Sequence, residues 1–136
     1  MKKSLLMLGL LSLAACTGAG DPSEINGDMV FFAFDSAEIS QDARKSLMEQ
    51  SMFLKQNPNV SVIMEGHCDE RGSSEYNLAL GALRAGNAAH VLIRDGIEPE
   101  RIETVSYGKE KPQFLGTGER VWSMNRNATT QTVVKK

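Results

Sequence analysis

The stretch from residue 60 to residue 94 places the tightest constraint on what this chain can fold into. Val60, Val62 and Met64 alternate with Ser61, Ile63 and Glu65, the period of two that a half-buried strand needs. A polar loop follows, bracketed by Gly66 and Gly72, and Ser73 or Ser74 can cap a helix that carries Glu75 in its first turn. That helix is predicted to run over 74–94, with Asp95-Gly96 ending it. Leu80, Arg84, Ala88 and Leu92 recur on it about one turn apart, and Asn77 stands one turn before Leu80.

Two opposite charges stand out in this stretch, Asp69 in the loop and Arg84 on the helix. Brought together they can grip a zwitterion, the aspartate taking an ammonium and the arginine taking a carboxylate in a bidentate fork. On these residues alone, a surface ion pair or two solvated charges is the plainer account.

Upstream, 29–34 (MVFFAF) is an apolar run between Asp28 and Asp35, short enough for a buried strand, and Asp35-Ser36 reads as a turn. Ser40 caps a helix with Asp42 in its first turn and Pro58 just beyond its end. Ala43, Leu47, Ser51 and Leu54 make its core stripe, which Met48 and Phe53 are expected to widen. Downstream, 101–107 reads as a third strand and 108–118 as a loop with Gly and Pro. Residues 122–126 suit a short helix, and 128–134 (ATTQTVV), rich in β-branched residues, suit a last strand. The order β-α-β-α-β-β predicts an α/β two-layer sandwich, a mixed sheet covered by helices on one face. No repeat is visible, and 136 residues hold one domain.

The N-terminus has its own signature. Lys2 and Lys3 precede an apolar segment over 5–13, too short to span a bilayer as a permanent helix, and 1–15 is expected to be a signal peptide. Leu13-Ala14-Ala15-Cys16 resembles the lipobox of bacterial lipoproteins, which implies that cleavage precedes Cys16 and that the cysteine is acylated on sulfur and amine. Two or more acyl chains anchor a protein stably on a membrane. Thr17 stands where an Asp would resemble an inner-membrane retention signal, so the outer membrane is expected. Residues 16–27 then form the lipidated cysteine and a flexible tether, and 28–136 form the domain.

Composition excludes several functions. The net charge is −2 at pH 7, more acidic still without Lys2 and Lys3, and aromatics make up 6%, so no nucleic-acid footprint or stacking platform is present. With Cys16 acylated, Cys68 has no intramolecular partner and is expected to be a small, partly buried residue. Two histidines and one free thiol make a poor metal set, and no cofactor is expected. His67, Cys68 and Asp69 are adjacent, but neighbours on an extended segment point to opposite faces, so no nucleophile–base pair and no enzyme activity are expected.

Longer segments carry a family resemblance: FAFDS at 32–36, EGHCDERG at 65–72, EYNLALG at 75–81, Arg84-Ala85, VSYGKEKP at 105–112 and WSMNR at 122–126. In this order they resemble the OmpA-like peptidoglycan-binding domain family, and the lipobox and short tether resemble its lipid-anchored members rather than the barrel-linked or flagellar-stator ones. The resemblance implies an OmpA-like sandwich that binds peptidoglycan non-covalently through the diaminopimelate of its stem peptides. Asp69 and Arg84 then correspond to the ligand-gripping charges, Asp35 and Ser36 to the turn lining the pocket, and Asn77 and Leu80 to the helix face beside the arginine. Arg71 and Gly72 either contribute or simply shape the loop. Implied partners are the stem peptide, the Tol system including TolB, with roles in envelope integrity and cell division, and outer-membrane lipid through Cys16, the domain facing the periplasm. The alternative is a structural lipoprotein of the same fold that works through protein partners and binds peptidoglycan weakly or not at all. The chain departs from the family pattern at Cys68, at an apolar Leu83, and at Asn127 where a further arginine is usual.

Overall fold

The computed structural model describes residues 28–134; the expected signal peptide, Cys16 and tether lie outside them. Four strands and three helices follow in the order β1 (Asp28–Phe31), α1 (Gln41–Gln56), β2 (Val60–His67), α2 (Ser74–Arg94), β3 (Ile102–Gly108), α3 (Glu119–Asn125) and β4 (Asn127–Val134), with a 3-10 turn at Pro99–Arg101. The sheet order is β1-β4-β2-β3. β4 lies antiparallel between β1 and β2, and β2 runs parallel to β3, so the sheet is mixed as expected.

The two long helices each start at a serine cap. Ser40 Oγ accepts the Ala43 N–H at 3.1 Å to start α1, and Ser73 Oγ accepts the Tyr76 N–H at 3.1 Å to start α2. Leu47 and Leu54 from α1, Ala85, Ala88 and Leu92 from α2, and Val62 and Met64 from β2 meet in one buried cluster, closed by Val30 and Ala128 from the neighbouring strands. Burying such side chains contributes about 1.5–3 kcal/mol for each large one.

Several boundaries differ from the sequence expectation. β1 ends at Phe31 rather than running to Phe34, because the chain turns there: the Ser36 N–H reaches the Ala33 carbonyl and Asp35 takes φ 52°. Phe34 is consequently exposed. Met48 does not widen the core; one residue past Leu47 is a rotation of about 100°, which takes it to solvent. Gln50 takes the buried place instead and accepts the Thr130 hydroxyl at 2.6 Å. β2 continues to His67, α3 begins at Glu119, and Leu83 is exposed as its apolar departure suggested.

The altered C-terminus packs as a central strand. Asn127 is fully buried and satisfied: its amide donates to Gln113 Oε1 at 2.7 Å and to the Met124 carbonyl at 2.8 Å, and it accepts the Thr129 hydroxyl at 2.8 Å. The 109–118 loop is thereby laid against the sheet on the side away from α1 and α2.

α2 approaches β2 closely enough to forbid side chains at their crossing. A Cβ built on Gly66 would overlap the Gly81 carbonyl, which is backbone and cannot rotate away. Gly86, on the same helix, has nothing within 4 Å of such a Cβ. Replacing Gly66 by Ala is therefore expected to cost about 3 kcal/mol in urea unfolding, whereas Gly86→Ala should gain about 0.5–1 kcal/mol by helix propensity.

Candidate functional site

The loop between β2 and α2 is built by side chains that satisfy its own backbone. Asn77, buried in the first turns of α2, donates its amide to the Arg71 carbonyl at 2.7 Å and to the Ser73 carbonyl at 3.0 Å. The Cys68 N–H donates to the Gly108 carbonyl at 2.8 Å, and the Cys68 thiol donates to the Asn77 carbonyl at 3.2 Å. Asp69 Oδ1 accepts the Arg71 N–H at 3.0 Å, a local turn that fixes the carboxylate's direction.

Arg84 is 1% exposed, and its guanidinium is engaged by the backbone. Nε donates to the Ser36 carbonyl at 2.9 Å, Nη1 to the His67 carbonyl at 3.0 Å and Nη2 to the Ala33 carbonyl at 3.2 Å. Burial pushes its pKa below the usual arginine value. Asp69 forms no ion pair with Arg84 among the described residues. Its partners are Arg71, whose Nη2 stands 2.8 Å from Oδ2 with Nε 3.2 Å from Oδ1, and Arg126, whose Nη1 is 3.5 Å from Oδ2. Burial raises the Asp69 carboxyl, but the hydrogen bonds and charge of Arg71, with the charge of Arg126, outweigh it and hold the group below the ordinary carboxylate range.

A cleft of about 100 Å³ opens between these elements. Asp35, Asp69, Asn77, Leu80 and Arg84, five of the six residues singled out from the sequence, line it. Ser36 does not: it stands behind the wall, where its carbonyl holds Arg84 and its hydroxyl accepts the Glu38 N–H at 3.1 Å. Phe34 and Tyr76 supply apolar walls that the sequence reading passed over, and Arg71 is the cleft's second guanidinium rather than a mere loop former. The Asp-x-Arg spacing was the available signal for Arg71, since a side chain two residues on folds back over an aspartate turn. Arg126 stands in the WSMNR segment already quoted, but nothing in its spacing tied it to Asp69. Opposite charges and apolar walls together fit a small zwitterion with an aliphatic stem.

Among the described residues the Cys68 thiol makes its hydrogen bond to the Asn77 carbonyl and none to His67. His67 and Cys68 are buried; among the described residues neither ring nitrogen of His67 makes a hydrogen bond, and Glu65 Oε2 stands 3.6 Å from Nε2. Burial lowers the His67 pKa, with Glu65 pulling the other way, and burial pushes the Cys68 thiol up. Among the described residues no group of three or more His, Cys, Asp or Glu converges to hold a metal, and no helix is long and apolar enough to cross a membrane.

Residues 31–126 match the OmpA family. A peptidoglycan-associated lipoprotein from Mesorhizobium japonicum is 43% identical, over 90% of this chain and 74% of its own length. One from Pasteurella multocida is 36% identical, over 94% and 95%. Among solved structures, the peptidoglycan-associated lipoprotein of Burkholderia pseudomallei superposes with a TM-score of 0.75 at 39% identity, covering 77% of this chain and 89% of that one. The C-terminal domain of Helicobacter pylori MotB, at 21% identity and a TM-score of 0.73, shares the fold.

Two outcomes follow for the charged residues. Arg84→Ala strands three carbonyls and is expected to cost at least about 3 kcal/mol in denaturant unfolding. Asp69, whose folded pKa is lowered, contributes stability that is present above the unfolded carboxylate value of about 4 and is lost as pH falls through the folded one. Asp69→Asn should accordingly be about 2 kcal/mol less stable than the parent at neutral pH, with the two curves converging in acid.

Proposed function

The chain belongs to the OmpA family, and to its peptidoglycan-associated lipoproteins, and on that premise we propose that it binds peptidoglycan non-covalently through the diaminopimelate of the stem peptides. The observation that carries this reading is the convergence of Asp69 and Arg84 on one cleft with Asp35, Asn77 and Leu80. The distal centre of diaminopimelate bears an amine and a carboxylate on one carbon, the arrangement that a carboxylate and guanidinium groups can answer together. Phe34, Tyr76 and Leu80 offer apolar contact to its methylene stem. A lysine-type stem lacks the second carboxylate and offers nothing to the guanidinium edges that line the cleft, which is how a polar site rejects an analogue.

Binding without chemistry is supported by the buried, high-pKa thiol of Cys68, which donates to the Asn77 carbonyl rather than to His67. In this proposal acylated Cys16 holds the protein in the outer membrane with its domain in the periplasm, and the cleft joins that membrane to the wall. Engagement of TolB and other Tol components, and a part in envelope integrity and cell division, complete the proposal.

A second reading draws on one observation: the Asp69 carboxylate is already occupied by Arg71 and faced by Arg126. It makes the protein a structural lipoprotein acting through protein partners. One titration separates the two. Calorimetry with a diaminopimelate stem peptide should give saturable binding to the parent protein, at least ten-fold weaker binding to Asp69→Asn, and much weaker binding of the lysine-type stem. A folded protein that binds neither peptide would sink the wall-anchor reading in favour of the second. Arg84→Ala is a poor probe here because it loosens the fold itself.

A further inference from the structure

Trp122 is the chain's single tryptophan, and its ring carries the Arg71 guanidinium carbon 4.1 Å from the ring centroid. The Phe34 ring meets the same group at 4.3 Å. The indole is itself fixed: its N–H donates to Glu70 Oε1 at 2.8 Å, and the Thr117 hydroxyl donates to the same oxygen at 2.6 Å. Glu70 is the residue before Arg71, so α3 and the 109–118 loop grip the β2–α2 loop at two neighbouring side chains.

This grip matters because, beyond its fork on Asp69, Arg71 has little else to hold it. Its side chain is 34% exposed on a long stem, and its second ion-pair partner, Glu119, is 3.9 Å away and mostly exposed. An exposed arginine pairing with a carboxylate gives up rotamer freedom, which usually leaves such a pair weak. Two aromatic faces remove that freedom beforehand and add cation–π attraction. The fork on Asp69 uses Nε and Nη2, while Nη1 makes no hydrogen bond among the described residues, in a side chain that lines the cleft.

We propose that Trp122 is a positioning residue of the cleft: acting from α3, it holds Arg71 in its fork on Asp69 and keeps the remaining guanidinium edge available to a ligand carboxylate. α3 is thereby part of the site without touching the ligand. The role in ligand binding rests on the diaminopimelate reading above; the hold on Arg71 is a property of the unliganded protein and stands without it.

Three measurements on the full chain test this. Without ligand, the Asp69 carboxyl is titrated by carbon-detected NMR; in Trp122→Leu its titration should move up toward that of an ordinary aspartate, and in Trp122→Phe, which keeps a ring, it should stay near the parent. An unmoved titration in the Leu variant overturns the proposal, as does an equal shift in both variants, which would assign the effect to the indole N–H. Tryptophan emission covers the case of a Leu variant that does not fold: Arg71→Ala should change the emission of the single tryptophan, and an unchanged spectrum overturns the contact. With ligand, Trp122→Leu should weaken diaminopimelate-stem binding about ten-fold and narrow its margin over the lysine-type stem, with Trp122→Phe within about two-fold of the parent. A merely structural role would weaken both stems alike and so counts against the proposal. A parent protein that binds no stem peptide while the titration and emission changes hold would remove the ligand reading and leave the positioning role intact.

Discussion

Arg84 reaches from the middle of α2 to three carbonyls on two other segments, Ala33 and Ser36 in the turn after β1 and His67 at the end of β2. A guanidinium taken out of water costs far more than any single contact returns unless its N–H groups are answered. Here carbonyl dipoles answer it, and the three segments that wall the cleft are tied to one rigid plane. The Phe32 ring lies 5.3 Å from the same group and closes its remaining side. The cleft has its shape because the arginine needs those carbonyls where they are.

The same device recurs. Arg101 donates to the carbonyls of Leu54, Asn57 and Val60, closing the end of α1 and the entry to β2. Arg126 donates to the Phe32 carbonyl at 3.0 Å and to Glu119 at 2.9 Å, which joins α3 to the turn after β1. Asp69 stands where one of these systems meets the loop's own arginine, faced by Arg126 and paired by Arg71, and is the buried carboxylate of the cleft. Charge complementarity in the cleft and cohesion of its walls are therefore one network. The contact between Gly66 and Gly81 lets α2 come close enough to β2 for Arg84 to reach across.

Much of this was legible in the residues. The alternation over 60–65 and the one-turn spacing over 80–92 place β2 and α2, since each pattern reports which face is buried, and the serine caps mark where the helices begin. The Arg84 charge stood out for the same reason it matters: a charge on a core-facing stripe has to be answered by something, and Asp69 stood out as the opposite charge in the adjoining loop. Less legible was anything decided at a turn or by rotation about a helix. The apolar run over 29–34 reads as one strand, yet the backbone turns after Phe31 and sends Phe34 toward Arg71. Met48, expected to widen the core, is carried to solvent by its rotation past Leu47, and the polar Gln50 is buried in its place.

The sequence by itself determined the order of the elements, the family and the segment that supplies the cleft, because periodicity, capping and motif spacing are local properties written within a few turns of chain. Only the tertiary structure decided who pairs with whom. Arg84 satisfies backbone rather than Asp69, Arg71 takes the carboxylate, and Trp122 and Arg126 arrive from more than fifty residues away through β4's insertion between β1 and β2. Ion pairing falls off within a few ångströms and depends on which groups burial leaves in need of partners, so it is settled when the layers close and not before.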